Sequence, residues 1–335
     1  MVGSERRATS RDVAAAAGVS RSTVSFVLNN TPSQTIPERT RQAVLTAARD
    51  LDYVPSVAAQ VLRSGRSKLV LCLVPPWATT ESLVGFVKLV GDELTKHGLV
   101  TVTHVAVPGQ LRDLLTVIAP GAVVSLAPLD PSDDRRLARL GVPHVPAYIL
   151  DYPGHPHSMS LTQQRMGSAQ ALHLIDRGFA ELVYVSGPEI GHPGRPAGRF
   201  DGAEHVTRSH PHARIRRFAY KDSPGLEVLV ESWATSPVRV GVCAFDDLTA
   251  LEVLAHLRAH GVPVPDHVGV VGVDDIPAAR FSEPTLTTVR PAMDGQAREL
   301  ARRVLSAVGD SEDPGTQGLQ VSELVTAEAI VRKST

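Results

Sequence analysis

Six runs of aliphatic and β-branched residues recur from Lys68 onward: LVLCLVP, VTVTHVAV, GAVVSLAP, ELVYVSGP, VRVGVCAF and HVGVVGVDD. They read as near-continuous β-branched runs rather than half-exposed antiparallel strands. Near-continuous apolar strands belong to parallel sheets covered on both sides. Helical stretches lie between them, among them Val84–His97, Gly167–Arg177, Leu248–His260 and Asp294–Val308. Strand–helix alternation over this length exceeds a single core and predicts an α/β body of two lobes. The longest apolar runs, such as Leu69–Val74, stop far short of the roughly 20 residues of a membrane span. No apolar targeting segment follows the start. Cys72 and Cys243 sit inside strand text, as buried thiols in a reducing compartment would. These readings predict a soluble intracellular protein.

The first 54 residues carry a different pattern. Thr9 or Ser10 can cap a helix over Arg11–Ala17, because a hydroxyl there satisfies an otherwise orphan amide. Gly18 can end that helix in a left-handed backbone. Ser20 then caps a second helix near Arg21–Asn29, whose Val24, Val27 and Leu28 share one face. Pro37 opens a third, with Val44, Leu45, Ala48 and Leu51 inward. Residues 55–66, PSVAAQVLRSGR, read as a linker that is helical only conditionally. Charge divides the same way. Up to Lys68 ten basic residues face five acidic ones, and beyond it 24 face 30. A basic head on an acidic body predicts that the head alone meets a polyanion.

Two short helices joined by a glycine turn, with a third across them, form a helix-turn-helix. Removing the apolar face of the second helix leaves Arg21, Ser22, Thr23, Ser25, Phe26 and Asn29 facing outward in part. Arginine can pair with guanine O6 and N7, while hydroxyls and Asn reach phosphates or bases. Phe26 can only pack on a thymine methyl or the sugar wall. On pattern alone, a three-helix cap with a solvated face competes with this reading.

ATSRDVAAAAGVSRSTVSFVLNN followed by ERTRQAVLTAARDLDYVPSVAAQVLRSGRS resembles the start of LacI/GalR-family transcriptional regulators. GHPGRPAGRFDGA, FDDLTAL, HGVPVPDHVGVVGVDDIPAARFSEPTLTTVRP and ELVTAEAIVRKST continue the resemblance through the body in family order. The resemblance implies a helix-turn-helix domain at 1–54, a hinge helix at 55–67 and a periplasmic-binding-protein-like body at 68–335. Lobe one would take about 68–162 plus 290–318, and lobe two about 163–289 plus 319–335. It implies DNA contacts from Thr9, Ser10 and Arg11, base reading by Arg21, Ser22 and Phe26, and backbone contact or capping by Ser20, Thr23, Ser25 and Asn29. Leu62 would wedge into the minor groove, and Arg63 and Arg66 would grip adjacent phosphates. The loop Asn30–Pro37 is about two residues longer than the family spacing, and Phe26 is unusual at a base-reading position.

In the body the resemblance places a small-molecule effector between the lobes, contacted by Trp77, Arg199, Tyr220, Asp247 and Asp274. Arg199 suits bidentate binding of a diol or carboxylate, and Tyr220 would stack on a ligand ring. Other readings stay open. Arg199 with Asp247 or Asp274 makes an ion pair, Asp247 caps a helix, and Trp77 and Tyr220 are core or rim aromatics. Thr162 and Gln163 stand where sugar-binding members carry Asp-Asn, which disfavours a simple hexose. The chain is expected to cross between lobes near Met159–Gly167, Leu286–Asp294 and Thr316–Ser322. No phosphate-binding loop, nucleophile elbow or metal-binding helix motif is present, and His155/His157 and His210/His212 lie in proline-containing loops. The expectation is a homodimeric, cytoplasmic repressor of a pseudo-palindromic double-stranded operator, needing no cofactor, metal or membrane. The alternatives are an α/β enzyme acting on a small polar metabolite and a solute-binding protein.

Overall fold

The computed structural model describes residues 8–28, 36–53, 67–76, 81–147, 160–187, 195–309 and 326–335. Contacts divide the chain into two units, Met1–Ser67 and Lys68–Thr335. In the first, α1 (Ser10–Ala16), α2 (Arg21–Leu28) and α3 (Glu38–Asp50) enclose a core of Val13, Val24, Val27 and Val44, each at most 3% exposed. At about 1.5–3 kcal/mol per buried valine, loss of any one is serious for so small a core. Gly18, at φ +65°, makes the left-handed turn between α1 and α2. The inner face of α3 is Val44, Ala47 and Ala48, whereas Leu51 lies past the helix end and 38% exposed. The expected inward Leu51 is thus replaced by Ala47, one helical turn earlier.

The second unit holds two sheets. In the first, β1 (Leu69–Val74), β2 (Val100–Val105), β3 (Ala122–Ser125) and β4 (His144–Pro146) run parallel in the order β2-β1-β3-β4. Helices α4 (Glu81–Lys96) and α11 (Asp294–Val308) cover one face through Phe86, Leu94, Leu300 and Val304. Helices α5 (Leu111–Val117) and α6 (Pro131–Leu140) cover the other through Leu111 and Leu137.

The second sheet comprises β5 (Glu181–Ser186), β6 (Arg214–Ala219), β7 (Val240–Ala244), β8 (Val268–Val273), β9 (Thr287–Ala292) and β10 (Thr326–Ile330). Their order is β10-β9-β8-β7-β5-β6, parallel except for the antiparallel β10. One face packs on α7 (Ser160–Asp176) and α8 (Arg195–Arg208), the other on α9 (Ser223–Ala234) and α10 (Asp247–Ala259). Each sheet with its helices is a lobe.

One crossing falls differently from expectation, and another, between Ala292 and Asp294, lies within the expected Leu286–Asp294. Residues from Ser160 are helix, with Met166 buried in lobe two, so Met159–Gly167 is not a crossing strand. β9 stays in the second sheet to Ala292, and α11 begins against the first at Asp294. The third crossing, Thr316–Ser322, and the hinge at 55–66 lie outside the described residues. Helices α7 and α8 touch backbone to backbone. A Cβ on Gly167 would stand 1.8 Å from the Arg199 carbonyl oxygen, and one on Gly202 would stand 1.9 Å from that of Gln164. Only glycine fits at both, and the contact fixes where Arg199 projects.

Candidate functional site

In the head, the amide and hydroxyl of Thr9 donate to the Asp12 carboxylate at 2.8 and 2.7 Å. This reciprocal cap starts α1 and leaves Arg11 exposed. Ser20 Oγ accepts from the Thr23 amide at 3.1 Å and lies 2.7 Å from Ser22 Oγ. With Val24 and Val27 turned into the core, Arg21 and Ser22 are exposed and Thr23, Ser25 and Phe26 half-buried. Among the described residues Phe26 takes no part in the head's hydrophobic cluster. The structure therefore brings Arg21, Ser22 and Phe26 to the accessible side of one short rod, beside the Ser20 cap. Such a rod is narrow enough for a major groove, and its first turn offers the macrodipole's positive end to phosphate. Asn29, Leu62, Arg63 and Arg66 lie outside the described residues.

In the body, the carboxyl ends of β5 and β7 flank the point where strand order reverses, the place where open α/β sheets take ligands. Arg199 projects there from α8. Its Nε donates to Gln163 Oε1 at 2.7 Å, its Nη1 donates to the Phe245 carbonyl, and its guanidinium lies 4.4 Å from the Phe245 ring centre. Arg199 is 5% exposed, and no carboxylate pairs with it among the described residues. Tyr184 and Ser186 lie on the same face of β5. Both hydroxyls are buried and meet no hydrogen-bond partner among the described residues. Burial pushes the Tyr184 phenol well above its ordinary value, so it stays a neutral donor. The end of lobe two thus offers one buried cation and two unsatisfied hydroxyls, a set suited to a hydroxyl-rich or weakly anionic small molecule.

Residues 9–56 match the bacterial regulatory proteins of the lacI family, and residues 171–335 a periplasmic binding protein-like domain. The chain carries a LacI-type helix-turn-helix domain and a periplasmic-binding-protein-like domain. The HTH-type transcriptional regulator reg1 of Streptomyces lividans is 28% identical over 333 residues, 94% of either chain. The structure of the transcriptional regulator CelR–cellobiose complex is 25% identical, spans 98% of this chain and 100% of that one, and has a TM-score of 0.62. The lac repressor dimer bound to operator and the anti-inducer ONPF shares the fold with a TM-score of 0.71, at 20% identity over 98% of this chain and 99% of that one.

Within this periplasmic-binding-protein-like body the remaining residues singled out from sequence take other parts. Tyr220 is 5% exposed in the α9/α10 core, across the sheet from Arg199, with its hydroxyl donating to Glu252 Oε2 at 2.5 Å. A ring held there packs in the core, which favours the core reading of Tyr220 over the stacking one. Asp247 is 1% exposed and accepts from Thr288 Oγ1 at 2.6 Å and the Ile276 amide at 2.9 Å. It ties α10 to the loop after β8 and to β9. Burial pushes its carboxyl up to about 7 against these two hydrogen bonds. The cap of α10 is Asp246, which accepts from the Thr249 amide at 2.8 Å, so Asp247 is not the cap. Asp274 follows β8 at φ 115°, half-buried near Asp247. Trp77 lies outside the described residues.

Sequence reasoning missed Tyr184 and Ser186, although polar residues at alternate positions of ELVYVS were the available signal. It also missed a serine–histidine–aspartate relay in lobe one. Ser125 Oγ lies 2.7 Å from His144 Nε2, and His144 Nδ1 lies 2.7 Å from Asp134 Oδ1. The order is that of a hydrolytic triad, but Ser125 is 1% exposed on a fully buried strand. The relay joins β3, β4 and α6 and presents no nucleophile. Cys72 and Cys243 are free and buried, their thiols pushed up to about 12, which removes them as nucleophiles as well. No helix among the described residues is long and apolar enough to cross a membrane.

Proposed function

We propose that this chain is a cytoplasmic, ligand-controlled repressor that binds a pseudo-palindromic operator as a homodimer. The observation that carries the reading is the exposed Arg21–Ser22 turn of α2, set on a buried valine face within a LacI-family head. Arg21 reads a guanine in each half-site, Ser22 and Phe26 add contacts beside it, and Thr9, Ser10 and Arg11 hold the adjacent phosphates. Ser20, Thr23, Ser25 and Asn29 cap the helix or meet the backbone. Leu62 wedges the minor groove at the dyad, flanked by Arg63 and Arg66. Two-fold symmetry of the protomers requires the matching symmetry in the site.

The effector binds between the lobes, with Arg199 as its principal contact and Ser186 and Tyr184 supplying further hydrogen bonds. Asp274 adds a carboxylate to the same crevice, and Trp77 is assigned there by the family resemblance alone. Asp247 acts through Asp274, by fixing the loop after β8. A small polar metabolite, sugar or nucleoside-like, fits this set. Binding changes the relation of the lobes, and repression changes by the ligand's preference for one arrangement. The relatives support both halves: one is named as a cellobiose complex, the other as a dimer on its operator. Selection from a randomised duplex pool with the purified chain tests the reading. Enrichment of an inverted repeat is expected, and a pool left random with or without metabolites would refute it.

A further inference from the structure

On the outer side of lobe two, three side chains from two helices present metal-ligand atoms to one another. Glu227, Glu231 and His260 each offer one such atom, and all three atoms lie within 4.8 Å of each other. The chain dictates this placement. Helix α9 turns Leu226, Leu229, Val230 and Trp233 into the core, so the two glutamates, one helical turn apart, share its solvent side. His260 caps the end of α10, where Gly261 at φ +65° turns the chain away. Helix α10 begins beside the crevice end of β7 and runs back along the sheet for 13 residues, about 20 Å. The three residues therefore lie on the opposite face of the sheet from α8 and Arg199, toward the sheet's amino edge.

The imidazole is oriented as a metal ligand is. His260 Nδ1 lies 2.9 Å from the His256 carbonyl oxygen, which can only accept. Nδ1 therefore carries the proton, and the neutral ring's lone pair is on Nε2. That atom stands 3.6 Å from Glu231 Oε1 and 3.8 Å from Glu227 Oε1. Both separations exceed the hydrogen-bond range of about 2.7–3.2 Å. They come within half an ångström of the edge, about 3.3 Å, of a tetrahedron with metal–ligand bonds of about 2.0–2.1 Å. Two carboxylates one turn apart on a helix repel each other, a cost that a bridging dication removes. One imidazole nitrogen with two carboxylate oxygens suits Zn2+ better than Mg2+ or Ca2+, which prefer all-oxygen shells. We propose that Glu227, Glu231 and His260 bind a divalent transition-metal ion of the zinc type, with water completing its shell, and that the ion clamps α9 to α10. The two glutamates are 49% and 58% exposed, so the ion exchanges with solvent and the clamp is reversible. Neither helix alone carries the set, which is why the sequence gave the expectation of no metal.

Calorimetric titration of the chelator-stripped, full-length chain with ZnCl2 is expected to show saturable binding of one ion per chain, at least about tenfold tighter than MgCl2. His260→Ala and Glu231→Gln are each expected to weaken zinc at least about tenfold. The glutamine variant changes an exposed side chain that folding does not need. Zinc at about 100 times its Kd is expected to raise Tm by about 5 °C in the parent chain and to leave His260→Ala unmoved. Arg199→Ala is expected to retain both the binding and the rise, which separates this site from the effector crevice. Absent zinc saturation, or equal affinity for Mg2+, would overturn the proposal and leave the three residues as a salt link. Zinc binding kept by both His260→Ala and Glu231→Gln would place the ion on other histidines and overturn it too. Binding without the rise in Tm would refute the clamp.

Discussion

Replacing Gly167 by alanine tests how the fold positions Arg199, the proposed ligand contact. The added Cβ would meet the Arg199 carbonyl oxygen at 1.8 Å, its carbon at 2.7 Å and its Cα at 3.0 Å. All three are backbone atoms, so no rotamer change relieves the clash and α7 and α8 must part by well over an ångström. Overpacking of this kind costs about 1–3 kcal/mol, with rigid backbone at the upper end. Alanine's helix propensity returns about 1 kcal/mol. The net loss is about 2 kcal/mol, or roughly 4 °C in Tm at about 2 °C per kcal/mol for a unit of this size. Gly85, exposed in α4 with nothing within 4 Å of its Cβ position, supplies the opposite sign. There alanine is expected to raise Tm by about 2 °C. Calorimetry of both variants decides the matter. A Gly167→Ala chain that melts as high as Gly85→Ala would refute the backbone contact, and with it the account of Arg199's placement.

Arg199→Ala is expected to abolish the response to the effector while operator affinity without ligand stays unchanged, measured by fluorescence anisotropy on labelled duplex. Arg21→Ala is expected to weaken specific binding by about 1–3 kcal/mol and relax one position of each half-site; an unaltered selected motif would remove Arg21 from the reading face. The raised Asp247 carboxyl predicts a pH dependence with a definite sign. Its proton is held more tightly in the folded chain, so stability is highest below about pH 4, falls as pH rises to about 7, and is level beyond, with a ceiling of roughly 4 kcal/mol. Asp247→Asn is expected to flatten that slope in urea titrations, and an unchanged slope would assign it to other groups.

What could be read from the sequence follows from how local each cause is. Thr9, Gly18, Ser20 and the Val24/Val27 pair act within a few residues, so the head's helices were legible almost to the residue. Apolar runs on both faces marked β1, β3, β5, β7 and β8. β6 was not legible, because RIRRFA is an edge strand whose arginines meet solvent, where charge protects an unpaired edge. The three residues of β4 are too few for a pattern.

The site residues divide by the same rule. Family spacing located Arg199, but its partners are set by the α7–α8 contact and by sheet order, neither of which is a local property. Motif position alone could not distinguish a side chain facing a ligand from one facing the core. Tyr220 and Asp247 show this: the resemblance assigned both to the ligand, and both are committed to neighbours, Glu252 in one case and Thr288 and Ile276 in the other. Tyr184 and Ser186 show the converse, as ordinary strand residues whose hydroxyls are left unsatisfied beside a buried guanidinium. A buried hydroxyl with no partner costs about 1–3 kcal/mol, and two beside one unpaired cation are hard to retain in a purely structural role. The crevice's chemistry therefore rests less on the acidic residues the motif emphasised than on this donor set, which favours a ligand rich in acceptors.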